Sequence, residues 1–454
     1  MTSRLFTRRH LLAGGAGLAT LSLAGLPAIP AFAADDLAAT AEAAAIWGFP
    51  LVLTGRYLGL SQQRGIAFNQ FYLNPKLATP SLKVAGPNVD TIYGFAWLDV
   101  THEPVVLDVP DTGDRYYSIQ LIDAYANTFD YVGRRQTGTK AGTFVVAGPD
   151  WSGTKEGALP AGAQLVRAPT GLVLALTRTL VRGDADAPVA ADVQLHYTLS
   201  PLSAWPAGRK AGIVQADVLN ILPALDLSQA GAGYFDELDR LVRAYPPTGP
   251  EAQTFARFSA LGLGTDRFAA QKPDPAVLAA AFTRAYARIR AYSDAEVVNG
   301  WRVDRHIAPF IADPLARAAV NRFGPGAHIA QEALYFSAVG DADGQPLSGA
   351  NRYTLTFPAG GLPPVDAFWS LILYGPDFFL VDNPLNRYAI NDRTPGLVKA
   401  ADGSLTLSIQ HDRPADAANW LPAPDGKFQL IFRTYQPRPA VLDGSYKLPP
   451  LRKV

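Results

Sequence analysis

The spacing of apolar residues changes character along the chain. From Asp35 to Gln62 the segment is alanine-rich, and Leu37, Ala41, Ala44, Ala45 and Trp47 recur at roughly helical spacing, which predicts a helix over at least its first half. From about Pro80 to Ser200, short apolar runs are cut by Pro, Gly and Asp: Val105-Val106-Leu107, Tyr116 to Ile122, Phe144-Val145-Val146, Leu172 to Leu176 and Gln194 to Leu199. Such runs, with no long helical pattern between them, predict an antiparallel sandwich. Helical spacing returns with Tyr234, Leu238, Leu241, Val242 and Tyr245, and Pro246-Pro247 stops it. Asp274-Pro275 reads as an N-cap followed by a first-turn proline, and Val277, Ala280, Ala281, Phe282, Ala285 and Ile289 continue the stripe. Strands are predicted again from about Ala333, with hairpin turns at Asp343-Gly344, Asp402-Gly403 and Asp425-Gly426. The resulting division is a leader (1–33), an N-terminal helical segment (34–79), a β-sandwich domain (80–205), a helical region (206–332) and a second β domain (333–454). Pro201 to Pro206 and Pro246-Pro247 are the candidate joints.

The leader carries its own pattern. Arg8-Arg9 precede a weakly hydrophobic run from Leu11 to Phe32 that closes on Ala31-Phe32-Ala33. Paired arginines, such a run and a small-x-small end read as a twin-arginine (Tat) export signal, cleaved after Ala33. The expected location is the periplasm or the extracellular space, with the Tat translocase as a partner during export. The competing reading is an uncleaved membrane anchor, which Pro27 and Pro30 weaken. No other uninterrupted apolar stretch is expected to span a bilayer.

Composition narrows the chemistry. Lys+Arg and Asp+Glu are each 40 in 454 residues, so the net charge is zero and no nucleic-acid partner is expected. With no cysteine, disulfides, thiolate catalysis and thiolate metal sites are excluded. The six histidines form no His-x-His or His-Glu-x-x-His pattern, so no His-rich metal site and no cofactor are expected. A divalent cation held by Asn88, Asp90 and Asp123 is a weaker alternative.

Candidate site residues concentrate in two places. In Pro87-Asn88-Val89-Asp90-Thr91-Ile92-Tyr93, an extended chain points Asn88 and Asp90 to one side, towards a partner or into a turn that bonds its own backbone. If Arg115 to Thr128 is one strand, its odd face carries Arg115, Tyr117, Ile119, Leu121, Asp123, Tyr125 and Asn127. Arg115 and Asp123 then lie roughly 26 Å apart. Each needs a neighbour: Asp90 for Arg115, and Arg134 or Arg135 for Asp123. That arrangement is either a polar pocket or two structural ion pairs. No Gly-x-Ser-x-Gly elbow, Walker loop or Gly-x-Gly-x-x-Gly after a strand is present. Paired carboxylates are therefore the acid/base chemistry available, with Asp90, Asp123 and Asp130 as candidates. In the second β domain, the loop between Asp382 and Asp392 presents Arg387 and Tyr388, or is an ordinary proline turn. Phe368-Trp369-Ser370, Asn419-Trp420 and Arg433-Thr434-Tyr435 place rings beside polar groups, as ligand walls or as core.

The strings Pro87 to Tyr93, Ala96-Trp97-Leu98-Asp99, Arg115-Tyr116-Tyr117, Asp123 to Asn127 and Thr137-Gly138-Thr139 form one set. Pro363 to Ser370, Asn383-Pro384, Arg387-Tyr388 and Asn419 to Pro424 form a second. Together they resemble the bacterial proteins that join domain-of-unknown-function 1254 to domain-of-unknown-function 1214. The resemblance implies an immunoglobulin-like sandwich, a helical segment and a jelly-roll-like C-terminal domain. It also implies that Asn88, Asp90, Arg115, Asp123 and Arg387 face a shared cavity. The functional expectation is a hydrolase-like enzyme for a small polar or carbohydrate-like ligand held between the β domains. Asp90 and Asp123 would be its acid and base, Arg115 and Arg387 its anion clamps, and Tyr93, Tyr117 and Trp420 its walls, with Asn88 and Tyr388 alongside. The alternative is a non-catalytic ligand-binding or envelope-structure protein. A homo-oligomer is compatible with either.

Overall fold

The computed structural model describes residues 34–153, 159–216, 225–270 and 273–454, so the export signal expected at 1–33 lies outside the described residues. Helix α1 (Ala34–Gln63) runs the full length of the alanine-rich segment and continues through Pro50. From Asp36 to Gln63 it is long and apolar enough to cross a membrane, which corrects the expectation that only the leader qualifies. Yet 61% of its most apolar window is buried inside the protein, as in a core helix.

The first sandwich follows: β1 (Tyr72–Asn74), β2 (Thr91–Asp99), β3 (Val105–Val109), β4 (Tyr117–Asp123), β5 (Thr128–Gly133), β6 (Gly142–Ala147), β7 (Gln164–Arg167), β8 (Leu172–Leu180), helix α2 (Ala187–Leu195), β9 (Thr198–Pro201) and β10 (Val214–Gln215). A six-stranded sheet, β10-β1-β2-β8-β4-β5, faces a four-stranded one, β7-β6-β3-β9. Leu98, Leu107, Ile119, Leu121, Val146 and Val173 fill the space between them. Gln194 begins no strand, because α2 runs to Leu195. Pairing is antiparallel except between β1 and β10 and between β6 and β7.

The helical layer comprises α3 (Gly233–Ala244), α4 (Gly249–Ala256), α5 (Asp266–Ala270), α6 (Pro275–Ala291) and α7 (Pro314–Phe323). Asp274 caps α6 as expected, its carboxylate accepting from the Ala276 amide at 2.8 Å. Gly48 and Gly55 on α1 allow α3 to approach closely, since a Cβ there would meet Leu238 and Leu241 at 2.4 and 2.6 Å. This layer covers one part of the outer face of the first six-stranded sheet, where Phe95, Trp97 and Leu172 meet Trp47, Leu238 and Phe282.

Strands return earlier than the sequence pattern indicates, at β11 (Glu296–Val298) and β12 (Trp301–Val303). They continue with β13 (Ala333–Ala338), β14 (Tyr353–Phe357), β15 (Val365–Tyr374), β16 (Ala389–Asn391), β17 (Leu405–Gln410), β18 (Trp420–Pro422) and β19 (Gln429–Pro437), then α8 (Pro439–Leu442) and β20 (Arg452–Lys453). The second sandwich pairs a six-stranded sheet, β11-β12-β13-β19-β15-β16, with a four-stranded one, β18-β17-β14-β20. The Asp-Gly pairs do turn the chain, Asp341 bonding Gln345 and Ala400 bonding Ser404 around two of them, but none joins two paired strands into a hairpin. Each connects strands of opposite sheets, so the chain arches across the sandwich core there. The outer face of the second six-stranded sheet packs on the part of the first that the helices leave free. Tyr116 and Leu180 meet Ala333, Phe368 and Tyr435 at this junction.

Candidate functional site

Strand alternation turns every second side chain of a sheet outward. In β4, Tyr117, Ile119 and Leu121 face the first core, so Ser118 and Gln120 face outward. Register then aligns Tyr93 of β2 with Arg178 of β8, and Arg178 with Ser118. The second domain answers with a matching row. Phe336, Phe432, Leu371 and Ile390 face its core, which turns their neighbours Tyr335, Arg433, Ser370 and Asn391 outward in continuous register. Two polar rows, one from each sandwich, thus meet in the interface.

Each row holds a buried arginine. Arg178 is 5% exposed and Arg433 is 4% exposed. The Arg178 guanidinium donates to Gln120 Oε1 at 2.9 Å and to the Gly326 carbonyl at 2.7 Å, and sits over the Tyr93 ring at 5.3 Å. Arg433 donates to the Tyr374 hydroxyl at 2.7 Å and to the Gly86 carbonyl at 3.0 Å. Neither has an ion-pair partner among the described residues; their acceptors are neutral. Tyr93 and Tyr335 remain only half-buried between them. Burial raises the Tyr435 hydroxyl well above its ordinary range, and raises Tyr374 to about 12 against the opposing pull of Arg433. These hydroxyls therefore stay protonated, as hydrogen-bond donors, at neutral pH.

Asn88 and Asp90 border this layer. The Asn88 amide donates to Thr91 Oγ1 at 3.1 Å and to the Tyr435 hydroxyl of the other domain at 2.7 Å. Its Oδ1 accepts from the Asp90 backbone at 2.7 Å, so the backbone-bonding turn and the interface role coexist. Asp90 Oδ1 accepts from Asn391 at 2.9 Å and from Arg393 at 2.7 Å. Asp90 Oδ2 and Ser370 Oγ are buried with no partner. Nearby, Glu332 joins the domains, accepting from Tyr116 at 2.9 Å and from Arg135 at 2.6 Å.

The other candidates lie elsewhere. Arg115 pairs with Asp186 at 2.5 Å and donates to the Leu180 carbonyl, so Asp90 is not its partner. Tyr117 stacks on Tyr197 within the first core. Arg115 to Thr128 is not one strand. Asp123 ends β4, and its Oδ1 accepts from the Tyr125 and Asn127 amides, each at 2.9 Å, closing the β4–β5 turn. Arg134 and Arg135 bind Gln436 and Glu332 instead of Asp123. Half-buried Asp130 accepts from its neighbour Tyr131. In the second domain, Arg387 donates to the carbonyls of Ala417, Ala418 and Trp420 at 2.9–3.1 Å and so secures a loop. Trp420 is buried, with its indole N–H on the Gln410 carbonyl. Tyr388 bonds Asn386 and packs at the margin of the interface, against Ile372 and Tyr374.

Nor are the two proposed catalytic carboxylates brought together. Thr91, next to Asp90, pairs with Leu180, whereas Asp123 pairs with Val173. Seven residues of β8 separate these rungs, about 23 Å, too far for a hydrolytic pair and for a shared cation. Among the described residues no group of three or more His, Cys, Asp or Glu is arranged to hold a metal.

Asp123 carries a different consequence. Burial raises its pKa from 3.8 to about 6, opposed by the bonds from Asn127 and reinforced by nearby Glu251. The folded state therefore holds a proton that the unfolded chain has already released between those values. Stability must fall as pH rises through this window. Urea titrations of the protein and of Asp123→Asn at about pH 4 and pH 7 should show the unsubstituted protein losing on the order of 2–3 kcal/mol relative to the variant. An unchanged difference between the two pH values would remove Asp123 as the titrating group.

Tyr93, Asn88 and Asp90 are thus the sequence candidates that reach the polar layer, with Tyr388 at its margin. Arg178, Tyr335, Asn391 and Arg393 were not selected by sequence as site residues, and Ser370 and Arg433 only as polar neighbours of the rings of Phe368, Trp369 and Tyr435. Their signal is a single arginine inside an apolar strand, in Leu172 to Leu180 and again in Leu430 to Tyr435.

Two β-sandwiches joined through a polar layer and flanked by helices define a two-domain β protein. The chain belongs to the proteins that join two families, each described as a protein of unknown function: DUF1254, matched at residues 68–201, and DUF1214, matched at residues 332–439. The crystal structure of the VPA0106 protein from Vibrio parahaemolyticus is similar, with a TM-score of 0.71 and 24% identity over 92% of this chain and 100% of that one. It shares the fold. An uncharacterised protein from Burkholderia cenocepacia aligns over 92% of this chain and 96% of its own, with a TM-score of 0.43 and 13% identity. No curated protein matches the sequence.

Proposed function

We propose that this chain is a Tat-exported periplasmic protein that binds a small anionic ligand between its β domains, without acting as a hydrolase. The observation that supports the reading is the pair of buried guanidinium groups, Arg178 beside Tyr93 and Arg433 beside Tyr335 and Tyr374, with no carboxylate partner among the described residues. Burying a charge costs several kcal/mol unless it is matched. A carboxylate, phosphate or sulfate between the rows would match both arginines and accept from the Tyr435 hydroxyl, whereas the Tyr374 hydroxyl already donates to the Pro87 carbonyl. The acid/base reading required Asp90 and Asp123 to act on one bond, and their separation leaves it without a mechanism. Export rests on Arg8-Arg9 and the run to Ala33.

Calorimetric titration of the protein with acetate, succinate, phosphate and sulfate tests the reading. At least one anion should bind, and at a hundred times its Kd should add about 2.7 kcal/mol of stability. Arg433→Met should weaken that binding roughly 10–100-fold, the worth of a hydrogen bond to a charged group. The same substitution should leave thermal stability unchanged or raised, since it removes a buried charge and orphans no carboxylate. No binding by any of the four anions, or a large drop in stability with binding intact, would show that Arg433 serves the fold instead.

A further inference from the structure

We infer that the ligand carries a hydroxyl or ammonium group beside its anion, as a 2-hydroxy or 2-amino acid does. The inference rests on the anion-binding reading above and names the ligand class of that same site. Its basis is the position of two of the buried polar atoms without a partner, Asp90 Oδ2 and Ser370 Oγ. Asn391, Ser370 and Arg433 occupy adjacent strands in one outward row. Asn391 holds Asp90 Oδ1, which places the Asp90 carboxylate over the end of that row. Arg393 fixes it from the other side while lying 4.5 Å over the ring of Phe368, two residues before Ser370 on the same face. Asp90 also acts on Tyr374, whose hydroxyl receives Arg433.

Within this frame Asp90 Oδ2 accepts nothing and Ser370 Oγ bonds nothing, although both are fully enclosed. Native proteins rarely leave such groups unmatched, and those they do leave call for an explanation in function, bound water or an ion. A lone anion would satisfy Arg433 and Arg178 but would repel Asp90. A ligand with a donor next to its carboxylate satisfies both: the carboxylate faces the guanidinium groups, and the hydroxyl or ammonium donates to Asp90 Oδ2. Ser370 Oγ then bonds the same polar group or the carboxylate.

Titration of the full-length protein with two matched series tests this: propionate, lactate and alanine, then succinate, malate and aspartate. A hydroxy or amino member should bind roughly 10–100-fold more tightly than its parent carboxylate, as sites built to hydrogen-bond a ligand discriminate against analogues lacking the group. In Asp90→Asn, and independently in Ser370→Ala, that preference should fall towards parity while the parent carboxylate binds no more weakly than before. Equal binding of all members of a series would overturn the inference and leave the anion-binding reading standing. Absence of binding by every member, parent acids included, would overturn both.

Discussion

Replacing Arg317 by methionine should destabilise the protein by about 3–5 kcal/mol, the cost of breaking a buried ion pair from one side. Arg317 on α7 is 2% exposed, and its guanidinium pairs with Glu251 of α4, one contact being a bond to Oε2 at 3.0 Å. The same carboxylate accepts from the Trp47 indole of α1 at 2.6 Å and from Asn127 of the β4–β5 turn at 3.1 Å. One anion therefore ties three helices to the first sheet. Without Arg317 it stays enclosed and uncompensated. Urea denaturation of the protein, of Arg317→Met and of the double variant with Glu251→Gln gives the measurement. The double variant should recover much of the loss, because the stranded charge is gone. A loss below about 1 kcal/mol in the single variant, the range of exposed pairs, would mean that water reaches the pair. Arg433 is the informative contrast: equally enclosed, it has no carboxylate to strand.

Phe432→Ala should cost about 3–5 kcal/mol, as for other large core aromatics. Phe432 is fully buried and stacks on Trp369 with ring centres 5.4 Å apart, with Phe357 at 6.0 Å and Trp301 at 6.5 Å. Its alanine variant would leave a void ringed by rigid side chains that relax poorly into it. Because Phe432 points away from the interdomain layer and Arg433 into it, affinity for the proposed anion at a temperature where the variant is folded should be little changed. Thermal unfolding and calorimetry on the same preparation separate the two effects. A variant as stable as the parent, or one that has lost anion binding shown by the parent, would contradict the assignment of faces.

Much of the fold was readable in the sequence because local patterns carry it. The period of α1, the Asp274 cap and the apolar runs of β3, β4, β6 and β8 are properties of short stretches. Misreadings arose where a side chain redirected the backbone. Asp123 gathers two amides, and Ala126 takes a left-handed φ of 61°, so what reads as one strand folds back as a hairpin. The Asp-Gly pairs signalled turning correctly, but which sheet receives the next strand is a tertiary matter. The site was half visible. Asn88, Asp90 and Tyr93 stand out as polar groups entering an apolar strand. The link between Arg178 and Arg433 depends on cross-strand register and on which sheet face meets the other domain, and neither is encoded near either residue. Arg115 and Arg387 drew notice for their charge, yet each is occupied by partners from its own domain.

The first helix sets a condition on how the molecule is made. α1 packs chiefly against α3, α6 and α7, and about 260 residues lie between its end and the end of α7. At about 5–20 residues per second of synthesis, it emerges roughly 13–50 seconds before its last neighbour. Until then the face that meets α7 stays open, although Trp97 and Tyr125 of the first sandwich already reach Ser61 and Trp47. α1 thus gains its full set of helical neighbours only once synthesis has passed Phe323.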